Sequence, residues 1–124
     1  MKTNIKATNI ELTDAIRDYA LKRFSKLEKY LGERDAVLSI ELAKLSDHHK
    51  HGDIFKAEAR LSGAGMNNYV AKEADDLYRA IDLVESDIIQ DVTRDKNKRR
   101  ELLRSGQRAM KNMIQGFPWI KWRK

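Results

Sequence analysis

Two hydrophobic periods alternate along the chain, and their order predicts an architecture. Lys2 to Asn9 sets Thr3, Ile5 and Ala7 against Lys2, Asn4 and Lys6, the period-two pattern of a short strand. Thr13 then offers an N-cap oxygen, and Asp14 places negative charge in the first turn, where the helix dipole favours it. Ile16, Ala20, Phe24, Leu27 and Leu31 follow at helical spacing, so 14–31 reads as an amphipathic helix that Gly32 ends. Period two returns in Leu38, Ile40 and Leu42, and again in Phe55, Ala57, Ala59 and Leu61. Ser62-Gly63-Ala64-Gly65 is a turn signal, and Met66 to Lys72 gives a weaker strand around Val70. These three strands form an antiparallel meander with one apolar and one polar face, which describes a sheet covered on one side. A second helix opens near Asp75, with a stripe of Leu77, Ile81, Val84, Ile88 and Val92. The expected fold is α+β in the order β-α-β-β-β-α: a four-stranded sheet with two helices on one face. The first two strands should be parallel, joined by a right-handed crossover.

After Val92 the apolar stripe stops for nine residues, yet no Gly or Pro intervenes before Gly106. Residues 93–104 therefore extend the second helix. Gly106, Gly116 and the only proline, Pro118, mark 105–124 as an irregular tail. The expected organisation is a domain over 1–104 and a basic, Trp-containing tail over 105–124.

Charge separates the two ends. Residues 1–93 hold 14 Lys+Arg against 17 Asp+Glu, whereas 94–124 hold 11 against 2. A basic end on a mildly acidic body points to a polyanionic partner, most often nucleic acid. On the first helix Lys22, Lys26 and Lys29 share a stripe away from Phe24 and Leu27, with Arg23 at its border. On the second, Arg94, Lys96, Lys98, Arg99, Arg100 and Arg104 surround the extension. Long cationic side chains of this kind neutralise phosphates and release their condensed counterions. The bland reading of each run is a solvated face with pairs such as Asp18 to Lys22. Residues 94–104 offer no apolar face to a membrane.

The remaining chemistry is sparse. The 124 residues include no cysteine, which excludes disulfides, thiolate metal sites and cysteine nucleophiles. Charged residues make up 35% of the chain, mean hydropathy is −0.69, and no apolar run nears the ~18–20 residues of a membrane span. The N-terminus lacks the apolar stretch of a signal peptide, so a cytoplasmic location is expected. His48, His49 and His51 crowd one polar loop with only Asp47 and Asp53 beside them, short of the roughly four ligands of a structural metal site. No Gly-rich phosphate cradle and no Ser-His-Asp arrangement is present, so neither an enzyme nor a cofactor is expected. The tail alternates aromatics and cations in Trp119, Lys121, Trp122 and Arg123. It could stack on bases, fold back on the open sheet face, or touch a membrane surface.

Two motifs are shared with a known family. The run Asn9-Ile10-Glu11-Leu12-Thr13-Asp14-Ala15-Ile16-Arg17-Asp18-Tyr19, followed by Lys26-Leu27-Glu28-Lys29-Tyr30, resembles the opening of the ribosome hibernation-promoting factors, also called ribosome-associated inhibitor or sigma modulation proteins. Asp76-Leu77-Tyr78-Arg79-Ala80-Ile81-Asp82-Leu83 is similar to that family's second helix start, although Arg79 stands where small residues are common. The resemblance spans about residues 2–104. It implies a β-α-β-β-β-α domain bound to the small (30S) ribosomal subunit, in the channel of messenger RNA and tRNA anticodons. Basic residues of both helices would grip ribosomal RNA, block translation sterically and preserve idle ribosomes. On this chain those residues are Lys22, Arg23, Lys26 and Lys29, with Arg94, Lys96, Lys98, Arg99 and Arg100. The length matches a short family member without the second, dimerising domain of long ones, so a monomer is expected off the ribosome, with no small-molecule substrate and no membrane partner. The alternatives are a generic double-stranded-RNA binder, a protein-interaction adaptor and a metal-binding protein using the histidine loop.

Overall fold

The structure is a computed structural model that describes residues 1–45 and 52–116, with side chains described as far as residue 106. The elements are β1 (Lys2–Thr8), α1 (Asp14–Phe24), a 3₁₀ turn (Ser25–Leu27), α2 (Glu28–Leu31), β2 (Val37–Leu45), β3 (Ile54–Gly63), β4 (Met66–Ala74) and α3 (Leu77–Gly116). They fall into two compact units, Met1–Val92 and Thr93–Lys124. The histidine loop and the Trp119–Arg123 segment lie outside the described residues.

In the first unit the strands lie side by side in sequence order, β1-β2-β3-β4. β1 runs parallel to β2, and the other two pairs are antiparallel. The register aligns apolar positions across the sheet: Ile5 with Ile40, Leu42 with Ala57, and Ala59 with Val70. A one-residue slip would turn each apolar set to water, so this alignment fixes the pairing. Leu38, Ile40, Leu42, Ala57, Ala59 and Leu61 are all at most 2% exposed. They form one buried cluster with Ala20, Phe24, Leu27 and Leu31 from the first helical limb and Ala80, Ile81, Val84, Ile88 and Val92 from α3.

The first limb is not the single helix that its spacing predicts. Ser25 Oγ donates to the Lys22 carbonyl at 2.7 Å, and the chain tightens to 3₁₀ geometry over Ser25–Leu27 before α2 resumes. A hydroxyl that bonds back to the preceding turn is the usual local competitor of the α-helical ladder. Leu27 and Leu31 stay buried through this change. Gly32 ends the limb as expected, at φ 66°.

The larger correction concerns the chain after Arg104. Instead of becoming irregular at 105, α3 continues through Gly106 to Gly116. A single interior glycine costs about 1 kcal/mol relative to alanine, which an already nucleated helix tolerates. Gln107, Arg108, Ala109, Met110 and Lys111, which follow it, are good helix formers.

The β3–β4 hairpin turns on Ala64 and Gly65, at φ 50° and 79°, between the paired residues Gly63 and Met66. Two central residues of positive φ make a type I′ turn, whose twist matches the strands. Gly63 is needed for space as well: at φ 108°, an added Cβ would meet the Asp35 carbonyl oxygen at 3.1 Å. Ala64 is thus the one poorly matched residue in the turn. Ala64→Asn should raise stability by about 0.5–1 kcal/mol, because asparagine tolerates the left-handed region better. Urea unfolding checks this, and an unchanged midpoint would show that the turn does not limit stability.

Candidate nucleic-acid interface

The first basic set is positioned by the cap and the buried face of α1. Thr13 Oγ1 accepts from the Ile16 N–H at 3.2 Å, which fixes where the helix begins. Burial of Ala20, Phe24, Leu27 and Leu31 then leaves Lys22, Lys26 and Lys29 on the exposed side. No ion-pair partner for these three is found among the described residues. Three other cations of the first unit are engaged: Lys44 with Asp53 at 3.4 Å, Lys56 with Glu58 at 2.9 Å, and Lys72 with Asp87 at 3.0 Å. The Lys56–Glu58 contact holds the Glu58 carboxyl below its ordinary pKa and the Lys56 ammonium above its own.

Arg23 has a different place from its neighbours. Its Nε lies 3.1 Å from Asp82 Oδ1 and its Nη2 3.3 Å from Glu85 Oε1, both carboxylates belonging to α3. The Glu85 side chain is only 6% exposed. Tyr19 joins the same cluster, with its hydroxyl donating to Asp82 Oδ1 at 2.6 Å. Its ring meets Tyr78 edge-to-face, centroids 4.9 Å apart. The hydrogen bond to Asp82, with burial adding to it, raises the Tyr19 pKa above 10. This polar clamp ties α1 to the first turns of α3 on the flank of the core. The sequence motifs contain Tyr19, Tyr78 and Asp82, but nothing in the spacing pairs Arg23 with carboxylates some sixty positions away.

The second basic set lies in the second unit. Arg94, Lys96, Lys98, Arg99 and Arg100 are all exposed along α3. For Lys96, Lys98, Arg99 and Arg100 no ion pair is found among the described residues, whereas Arg104 pairs with Glu101 at 3.3 Å. Their guanidinium and ammonium groups therefore stand in water, the state in which a phosphate backbone can take them at little desolvation cost. Among the described residues no group of three or more His, Cys, Asp or Glu could hold a metal ion. No described helix is long and apolar enough to cross a membrane.

A four-stranded mixed sheet with two helices packed on one face defines an α+β class of domain, and similarity to known proteins resolves the class into a family. The profile of the family described as sigma 54 modulation protein / S30EA ribosomal protein matches residues 3–100. The chain belongs to this family of ribosome hibernation factors. It is 31% identical over 101 residues to the ribosome hibernation promoting factor of Azotobacter vinelandii, covering 82% of this chain and 88% of that one. Its counterpart in Escherichia coli K12 is 27% identical, covering 82% and 99% respectively. The N-terminal domain of Thermus thermophilus Protein Y superposes with a TM-score of 0.66 at 28% identity, over 76% of this chain and 98% of that domain. The mixed sheet and its two helices are thus the family's fold, and the length matched is that of a short member.

Two variants test the clamp. Arg23→Met leaves the Glu85 carboxylate buried without its partner and should destabilise by about 2–4 kcal/mol, with Glu85→Gln in the same chain recovering part of the loss. A urea midpoint shift below ~0.5 kcal/mol would show the pair to be idle. Tyr19→Phe should cost about 1–2 kcal/mol at neutral pH. Because the native pKa of Tyr19 is raised, its stabilisation is complete below pH ~10 and is lost as pH rises through the native value. The gap between wild type and Tyr19→Phe should therefore narrow in alkaline titrations of stability; a constant gap would contradict the assignment.

Proposed function

We propose that this protein binds the small ribosomal subunit through its ribosomal RNA, at the channel used by messenger RNA and tRNA anticodons. Occupying that channel blocks translation and keeps idle ribosomes intact, and it requires no covalent step. Family membership supports a ribosomal partner, and both curated relatives described above are named for promoting ribosome hibernation. The observation that carries the RNA reading is the pair of exposed basic runs: Lys22, Lys26, Lys29, Lys96, Lys98, Arg99 and Arg100 are exposed with no ion pair found among the described residues, whereas Lys44, Lys56 and Lys72 of the sheet are held by carboxylates. Structured RNA is recognised mainly through backbone and shape, which suits flexible lysines and arginines in water rather than a base-reading pocket. Arg23 contributes by holding α1 on the core, and Lys22, Lys26 and Lys29 supply the phosphate contacts of that limb.

The quadruple variant Lys22→Glu, Lys26→Glu, Arg99→Glu, Arg100→Glu should keep the wild-type melting profile, since none of the four is in the core. It should bind small subunits at least about 100-fold more weakly, because several phosphate contacts become repulsions. It should also fail to inhibit translation in a reconstituted extract. Full inhibition by this variant would remove these residues from the account.

A further inference from the structure

The face of the sheet turned away from the helices holds a hollow that the cations of the helices do not use. Two neighbouring rows of side chains define it. The register sets Asn4, Ser39, Arg60 and Tyr69 across the four strands in one row, and Lys6, Glu41 and Glu58 across the first three strands in the next. Arg60 lies over the Tyr69 ring, 4.8 Å from its centroid, and so turns toward β4 and away from Ser39, its neighbour on β2. A serine fills little of the space this leaves. The result is a cavity of about 450 Å³ bordered by Asn4, Lys6, Ser39, Glu41 and Arg60, within the size range of ligand sites. The two carboxylates beside it differ in engagement. Glu58 is held by Lys56 Nζ at 2.9 Å, with the Tyr69 hydroxyl contributing. Glu41 Oε2 accepts from Thr8 Oγ1 at 3.0 Å, which leaves most of the roughly four acceptor positions of an ionised carboxylate unused. Asn4, Lys6 and Ser39 are exposed, and no hydrogen bond or ion pair of their side chains is found among the described residues.

We propose that this hollow takes an unpaired guanine base of single-stranded RNA. The Arg60 guanidinium, backed by Tyr69, is a planar cation on which a base stacks. Guanine presents two adjacent donors on its Watson–Crick edge, N1–H and the N2 amino group, which match the two oxygens of a carboxylate such as Glu41. Adenine has an acceptor at N1 and would face the same carboxylate with repulsion. The two donors also offset the like charges of Glu41 and Glu58, which stand directly opposite each other on β2 and β3. Lys6, paired with Glu41 from β1, supplies a cation for a flanking phosphate. A strand suits the hollow better than a free nucleotide. Its border residues are mostly exposed, whereas sites for small ligands bury most of their ligand. A second hollow of about 160 Å³, beside Ala43 and Leu45, is bordered by the same Glu41 and Glu58, so a strand has room to continue along the sheet. Neither the helical cations nor the small subunit enters this contact, so its failure and that of the ribosomal reading are distinguishable.

Fluorescence anisotropy with the full chain and end-labelled UUGUU or UUAUU tests the site, because phosphate contacts elsewhere are common to both oligonucleotides and cancel in their ratio. Wild type should bind UUGUU about tenfold more tightly than UUAUU. Glu41→Ala should bring that ratio close to one, and Glu41→Gln, which keeps the side chain's size, should lower it as well. Arg60→Ala should weaken both oligonucleotides about fivefold or more by removing the stacking plane. The quadruple charge-reversal variant of the helices should lose affinity for both and keep the ratio. Equal binding of the two oligonucleotides by wild type would overturn the inference, as would a ratio that both Glu41 variants leave intact. Guanosine monophosphate that competes as well as unlabelled UUGUU would assign the hollow to a free nucleotide instead.

Discussion

Everything in the first unit depends on burying one face of one sheet. β1 and β2 are parallel, so the chain must cross over the sheet between them, and that crossover brings the first helical limb onto the apolar side. It covers only part of the face, and the Leu77–Val92 segment of α3 supplies the rest. Small residues where the layers meet, Ala20, Ala57, Ala59 and Ala80, are fully buried and let the helices approach closely. The clamp of Arg23 and Tyr19 on Asp82 and Glu85 then fixes one helical limb against the other at the edge of that core. On the opposite side of the sheet the polar residues are balanced by local pairs such as Lys56–Glu58 and by Arg60 lying 4.8 Å over the Tyr69 ring.

That division of labour decides where binding chemistry can sit. Carboxylates concentrate in the first unit, and there they engage Arg23, Lys44, Lys56 and Lys72. The stripe on the first limb escapes because its own flank and the core leave it facing water. In the second unit Asp95 and Glu101 are too few to neutralise Lys96, Lys98, Arg99 and Arg100, for which no ion pair is found among the described residues. A cation in water costs little to transfer to a phosphate, whereas one held by a buried carboxylate, like Arg23, would first have to leave it.

Much of this was legible in the sequence. The alternation of Phe55 to Leu61 and the stripes ending at Leu31 and Val92 specify elements, faces and strand order, because period reports burial directly. Family motifs pointed to the class of partner. What escaped prediction depends on contacts that spacing does not encode. Arg23 looked like one more cation, since its acidic partners are brought to it only by folding. The 3₁₀ turn hinges on the hydroxyl of Ser25. The hairpin was marked by its glycines, yet one of its two left-handed positions is taken by Ala64, which carries no such mark. Gly106 read as a boundary, although a helix already built to Arg104 passes through a lone glycine; the apolar spacing that resumes at Leu102 was the available signal.

The central claim is that a shaped ribosomal RNA surface, and not duplex RNA in general, is the target. Co-sedimentation of the purified protein with isolated small ribosomal subunits, at low and moderate salt and with excess duplex RNA as competitor, addresses it most directly. Saturable binding near one protein per subunit that survives the competitor and weakens steeply with salt is the result this account predicts. Binding that the duplex strips away, or that salt leaves untouched, would contradict it.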